Sequence, residues 1–453
     1  MFKLNYIKIA ARSSAVLLLL CAVLLPSFCV GVSADVFENN MPKAPSLENV
    51  GAAYVYNVEN DRVLLSHNPD GLIYPSSLTK VMSFLVCSEI LAGRLEENVT
   101  LTEEMIAGSV GNRAGLAAGE VFTIKQLMYI AFCGCNNDAV NALAYIASGS
   151  VKDFVTAMNE KALALGAQGT VFRNPTGIHN DAMVTTMSDL ALICREAAKS
   201  ELILRVTGAE RYEIPQTDTT PRYMVYNRNM LMSARSSAAY VNKNATGLNA
   251  GMTDQGGECL ATVASKDGLT YIIVITGGVT LTDEEGRQTI TSYKLANELI
   301  DWSFNNFGYV HLFDATVPCA DINVIYSNGA SKISVLPTEE IVMYLPLTFN
   351  PFSRLTFKTK FDKVEFEAPI EKGTVVGSMA ILYRDELIGE VGLVTTEDAS
   401  RDDFLYSLSR IKEFSQNRVF LLTVAFAILY AILFTIIGAV IRHIARKREL
   451  DNL

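Results

Sequence analysis

Histidine and paired cysteines are scarce in this chain of 453 residues. Away from the C-terminal tail the only histidines are His67, His179 and His311, and none stands in an HExxH-like arrangement. A zinc hydrolase has no ligand set to build on, so neither a metal nor a cofactor is expected. There is no CxxC pair. Cys87, Cys133, Cys135, Cys194, Cys259 and Cys319 lie beyond the N-terminal segment, most of them in apolar stretches. That predicts buried free thiols rather than a disulfide scaffold. Positive charge is also short: the net charge of −10 argues against nucleic acid as a partner. No internal repeat or low-complexity segment occurs.

Both ends of the chain are apolar, and this accounts for part of the 50% hydrophobic content. Lys3, Lys8 and Arg12 precede an apolar run over 15–25, and Val32-Ser33-Ala34 has small residues at the spacing a signal peptidase needs. Residues 1–34 read as a cleaved secretory signal. At the other end, 419–441 is an uncharged run long enough, as a helix, to cross a bilayer. Arg442, Arg446, Lys447 and Arg448 follow it, so the tail 442–453 is expected in the cytoplasm and everything before the span outside.

The stretch 52–65 reads as two short strands around a turn at Glu59-Asn60-Asp61, and helical patterns dominate from 78 to about 198. Strand character returns over 258–264 and 271–276, joined by a plausible hairpin, and an amphipathic helix follows over 292–304. Strands at both ends of a helical middle predict one central sheet covered by helices, an α+β arrangement over 35–305. Over 306–400 short β-branched runs alternate with Gly, Pro and Asn turns, which predicts a small β-rich domain. Residues 401–418 read as an amphipathic juxtamembrane helix, with Phe404, Leu405, Leu408, Ile411 and Phe414 on one face, lying at the membrane–water interface.

Chemistry concentrates in Tyr74-Pro-Ser-Ser-Leu-Thr-Lys80. A serine hydroxyl needs a base within reach, and residues three apart on a helix share a face. Ser77 and Lys80 meet that condition if a helix begins at Pro75 or Ser76. Val81, Phe84, Leu85 and Ile90 would bury the helix, and burial lowers a lysine pKa toward that of a usable base. A second SxxK, Ser409 to Lys412, falls in the juxtamembrane helix and reads as solvated surface.

Pro75-Ser-Ser-Leu-Thr-Lys80 resembles the P-x-S-L-T-K segment of the serine-type D-alanyl-D-alanine carboxypeptidases, the low-molecular-weight penicillin-binding proteins. Further matches follow in order: Gly115-Leu-Ala-Ala-Gly-Glu120, Asn136-Asn-Asp-Ala139, Asn174-Pro-Thr-Gly177, Asn227-Arg-Asn229, Gly256-Gly-Glu-Cys-Leu-Ala261 and Ala368-Pro-Ile-Glu-Lys-Gly373. The resemblance implies a β-lactamase/transpeptidase-like catalytic domain with a central antiparallel sheet, then the β-rich domain and one transmembrane helix. It implies that Ser77 attacks the bond between two D-alanines of a peptidoglycan stem peptide, with Lys80 taking its proton. Asn137 would bind the substrate amide and Lys80, and the Ser77 N–H would form half of an oxyanion hole. β-Lactams would acylate an active site, and the ectodomain would face the cell wall from the cell membrane.

Two positions depart from the family pattern. Cys135 stands where S-x-N has its serine, and a thiol is a weaker hydrogen-bond partner. Asn249-Ala250-Gly251 falls on the K-T-G motif, so the lysine and threonine expected to hold the substrate carboxylate are absent. A charge-assisted hydrogen bond of that kind contributes roughly 1.5–3 kcal/mol. A second register puts Ala245-Thr246-Gly247 on the motif, again without lysine. Two functions follow: a working carboxypeptidase with an altered site, or a weakened or inactive relative that binds peptidoglycan or regulates. A β-lactamase fits less well, since those secreted enzymes lack the β-rich domain and the anchor.

Overall fold

The computed structural model describes residues 34–450 except Ala234, Ser236 and Ser237. The expected signal segment lies outside the described residues but for its last position. The chain divides into two compact units: Phe37–Gly308 with Tyr344–Phe349, and Tyr309–Met343 with the chain from Asn350 onward.

In the first unit β1 (Ala52–Asn57) and β2 (Arg62–His67) form the expected hairpin. Asn57 Oδ1 accepts the Asn60 N–H at 3.0 Å, which closes the turn. Nearly two hundred residues later come β3 (Ala245–Thr253), β4 (Gly257–Lys266) and β5 (Leu269–Gly278). The sheet order is β2-β1-β5-β4-β3, antiparallel throughout, so the two sequence ends meet at the β1–β5 pair. This leaves β3 as an edge.

Both faces of the sheet are covered, and strand alternation sorts the residues between them. Cys259, Ala261, Val263, Ile272 and Val274 join the main core. Helices α1 (Thr79–Leu91), α2 (Asn137–Ser148) and α3 (Met187–Ala197) contribute Phe84, Leu143 and Leu190 to the same core. The intervening residues face helix α4 (Thr291–Asn306), where Tyr271 meets Phe304 edge-on with ring centroids 5.0 Å apart.

Helix α1 is apolar all round because it is central, and each large side chain it buries contributes roughly 1.5–3 kcal/mol. Its start differs from the expectation. Residues Ser76–Leu78 form a 3₁₀ turn before the α-helix, and no side chain caps either beginning. Ser76 instead takes a left-handed φ of 47° and turns its hydroxyl to Thr253 Oγ1 at 2.7 Å, so it serves the sheet edge rather than the helix. Ile90, expected inside, is 43% exposed beside exposed Glu89, on the outward side of a last turn whose Leu91 is fully buried.

The second unit contains a six-stranded sheet built from β6 (Ala320–Ile325), β7 (Lys332–Pro337), β8 (Leu355–Phe361), β9 (Phe366–Glu367), β10 (Val375–Tyr383) and β11 (Glu386–Thr395). The order is β8-β10-β11-β7-β6-β9, with only the β6–β9 pair parallel. Helix α5 (Asp403–Gln416) starts at an Asp402 cap and α6 (Arg418–Leu450) follows. Arg418–Arg446 is long and apolar enough to cross a membrane. The second SxxK lies on α5, with Lys412 exposed and the Ser409 hydroxyl 2.6 Å from the Tyr326 hydroxyl.

Candidate active site

Ser77 sits in the 3₁₀ turn at the mouth of α1, partly exposed, and the edge strand β3 runs past it. A Cβ on Gly251 would stand 2.5 Å from Ser77 Oγ, so only glycine lets the strand come this close. Asn249, two residues earlier on the same face, donates from Nδ2 to the Ser77 carbonyl at 2.5 Å. The register Asn249↔Ala261, Ala250↔Leu260, Gly251↔Cys259 therefore sets the Asn249-Ala250-Gly251 segment against the serine. The Ala245-Thr246-Gly247 alternative lies further back along the strand.

Lys80 is 3% exposed. Its Nζ donates to the Thr176 carbonyl at 2.5 Å. Burial pushes its pKa below the ordinary lysine value, opposed in part by the negative charge that Cys135 carries when ionised. The Thr176 carbonyl is aimed by a local device: Asn174 Oδ1 accepts the Thr176 N–H at 3.1 Å and the Gly177 N–H at 2.8 Å. Gly177 has a φ of 83°, and any Cβ there would collide with the Ser76 carbonyl oxygen.

Cys135 follows a π-helical segment, Tyr129–Cys133, and takes a left-handed φ of 55°. Asn112 fixes this bend by donating from Nδ2 to the Gly134 and Cys135 carbonyls at 3.1 and 2.7 Å. The Cys135 thiol donates to Asn249 Oδ1 at 2.8 Å. Burial raises its pKa, while Lys80 and Arg228 pull the other way. Asn249 thus bridges Cys135 and Ser77 with a neutral amide.

Asn137 opens α2 and is 4% exposed. Its Nδ2 donates to the Val110 carbonyl at 2.7 Å, while Oδ1 is buried without a partner. Lys80 donates to Thr176 rather than to Asn137, which leaves Oδ1 open to accept a bond within the cleft. Ser77, Lys80, Cys135, Asn137, Ala250 and Gly251 all line one cavity of about 370 Å³. Asn249 stands behind them. The sequence reading missed Asn112 and Asp138, whose carboxylate accepts the Ala114, Gly115 and Leu116 N–H groups at 3.0, 2.8 and 3.1 Å. The N-D-A motif carried the signal for Asp138; nothing local marks Asn112.

A central antiparallel sheet covered by helices, with a serine at the mouth of its buried helix facing the edge strand, defines a β-lactamase/transpeptidase-like domain. The chain belongs to the D-alanyl-D-alanine carboxypeptidase family, whose model matches residues 39–280. Residues 307–401 match the penicillin-binding protein 5 C-terminal domain. The chain is 27% identical to D-alanyl-D-alanine carboxypeptidase DacF of Bacillus subtilis over 358 residues, which is 78% of this chain and 87% of DacF. Against DacA of Escherichia coli K12 the identity is 25% over 405 residues, 85% of this chain and 93% of DacA. The crystal structure of DacD from Francisella tularensis superposes with a TM-score of 0.54 at 24% identity, covering 80% of this chain and 95% of that one.

Proposed function

We propose that this chain hydrolyses D-alanyl-D-alanine stem peptides of peptidoglycan through an acyl-enzyme on Ser77. The observation that carries the reading is a lysine buried to 3% exposure in the same cavity as that serine. In its neutral form Lys80 takes the Ser77 proton as Oγ attacks the peptide carbonyl. The Ser77 N–H, with the backbone of β3 beyond Gly251, receives the developing oxyanion. The unpartnered Asn137 Oδ1 accepts from the substrate amide or from Lys80. Cys135, the weaker donor, relays the proton toward the leaving amine. Water then releases the acyl group.

The same reading makes β-lactams acylating ligands, and puts the catalytic domain on the wall side of the cell membrane. A signal over 1–34 would export it and the helix over 419–441 would hold it.

The experiment is labelling with a fluorescent penicillin, beside D-alanine release from a peptide ending in Lys-D-Ala-D-Ala. Both signals are expected from the wild type and neither from Ser77→Ala. Folded wild-type protein that gives neither signal, and that also fails to release D-alaninamide from the C-terminal amide of that peptide, would leave a peptidoglycan-binding protein in place of a hydrolase.

A further inference from the structure

Glu258 lines the cleft beside the reacting groups. It is directly opposite Met252, the residue after Gly251. By strand alternation Ala250, Met252 and Glu258 share the face that turns toward α4, where Ile290 and Tyr293 close the same cleft. Ala250 holds the position at which the family motif has the threonine that binds the substrate's terminal carboxylate. Glu258 is its diagonal neighbour across the strand pair, a separation of roughly 7–8 Å.

The Glu258 carboxylate has no hydrogen-bond or ion-pair partner among the described residues, and it is half-buried. Burial alone raises its pKa. Arg228 lines the cleft as well, but no ion pair within 4.0 Å joins the two. The motif lysine that would offset the charge is Asn249, a neutral amide already committed to Ser77 and Cys135. The side of the cleft that would receive a terminal carboxylate therefore has lost its lysine and its hydroxyl and carries an unpaired acid.

We infer that Glu258 sets leaving-residue specificity against a free terminal carboxylate, and that the preferred substrate is a D-alanyl amide bond whose leaving residue has its carboxyl blocked or carries an amine. The inference rests on the hydrolase reading of Ser77 and narrows its substrate class. Like charges brought together in a partly desolvated cleft are a strong device for rejecting a wrong ligand. An amide or ammonium there would instead donate to the waiting carboxylate.

The test compares kcat/KM of the full chain, in detergent, on two acyl-Lys-D-Ala-D-Ala peptides, one a free acid and one a C-terminal amide, releasing D-alanine and D-alaninamide respectively. The amide is expected to be the better substrate by about tenfold or more. Glu258→Gln, which keeps shape and removes charge, is expected to raise the free-acid rate and bring the ratio near one. Turnover that depends on Ser77 but favours the free acid in the wild type overturns the inference, whether or not the variant folds. So does a ratio that Glu258→Gln leaves unmoved. Turnover of neither peptide, with no Ser77-dependent penicillin label, removes the hydrolase reading itself.

Discussion

On the proposed mechanism Lys80 is a liability that the fold carries for the sake of its chemistry. It is buried, with one carbonyl as its hydrogen-bond acceptor, and burial lowers its pKa. Between that lowered value and the unfolded lysine value of about 10.4, the unfolded chain binds the extra proton and the folded chain does not. Stability therefore rises with pH across this window; the penalty is complete below the folded pKa and gone above the unfolded one. Acylation follows the neutral amine, so it too should rise with pH through the folded pKa of Lys80. Lys80→Met keeps the volume and removes the penalty. It should abolish penicillin labelling and raise stability at pH 7 by about 1–3 kcal/mol, an advantage that fades toward pH 10. Urea unfolding at both pH values measures this. A variant less stable than the wild type at pH 7 would mean the amine is a net stabilising group.

At the scale of elements the site is a meeting of α1 with an edge strand, and Gly251 sets the distance. An alanine there would put its Cβ 2.5 Å from Ser77 Oγ, so either β3 or the 3₁₀ turn must move. Gly251→Ala should slow acylation by tenfold to a hundredfold, on the order that small misplacements of reacting atoms cost. The accompanying loss of stability should stay near about 1–3 kcal/mol, because an edge strand can shift. Gly93→Ala, whose Cβ meets nothing within 4 Å, is the control and should label as wild type. Equal labelling by the two variants would show that Gly251 does not set the approach.

The same elements separate what the sequence made readable from what it did not. The β1–β2 turn and β4–β5 hairpin follow strand alternation, so local pattern sufficed there, whereas Ser77 and Lys80 reach the same cleft through a 3₁₀ turn that leads into α1. The Asn174 turn is local, but the bond from Lys80 to the Thr176 carbonyl that it aims joins residues far apart in the chain, and no period reports such a contact. Ser76 looked like a helix start because its type suits a cap, yet its hydroxyl was claimed by Thr253 on the sheet edge. Glu258 looked like an ordinary strand residue. Its place in the cleft depends on the β3–β4 register, which only the folded sheet fixes.

For the whole molecule, attachment should reside in α6, with α5 as a weaker contact. The α6 run carries exposed Val419, Phe426, Leu433 and Ile437, apolar on every side, as suits a helix surrounded by lipid. Helix α5 exposes Phe404, Leu405, Leu408, Ile411 and Phe414 beside charged neighbours. Five such side chains, at roughly 1.5–3 kcal/mol each when fully buried and only partly immersed at an interface, give reversible binding, whereas a spanning helix does not let go. Three chains, each keeping residues 1–34, separate these contributions when expressed and fractionated. The full chain should require detergent. A chain ending at Gln416 should leave membranes in carbonate wash, and one ending at Arg401, where the β-rich domain match stops, should be soluble without it. All three should bind penicillin alike, because none of the cleft residues lies beyond Tyr293. A full chain recovered in the soluble fraction would remove the anchor. A chain ending at Gln416 that resists carbonate would shift the anchoring role from α6 to α5.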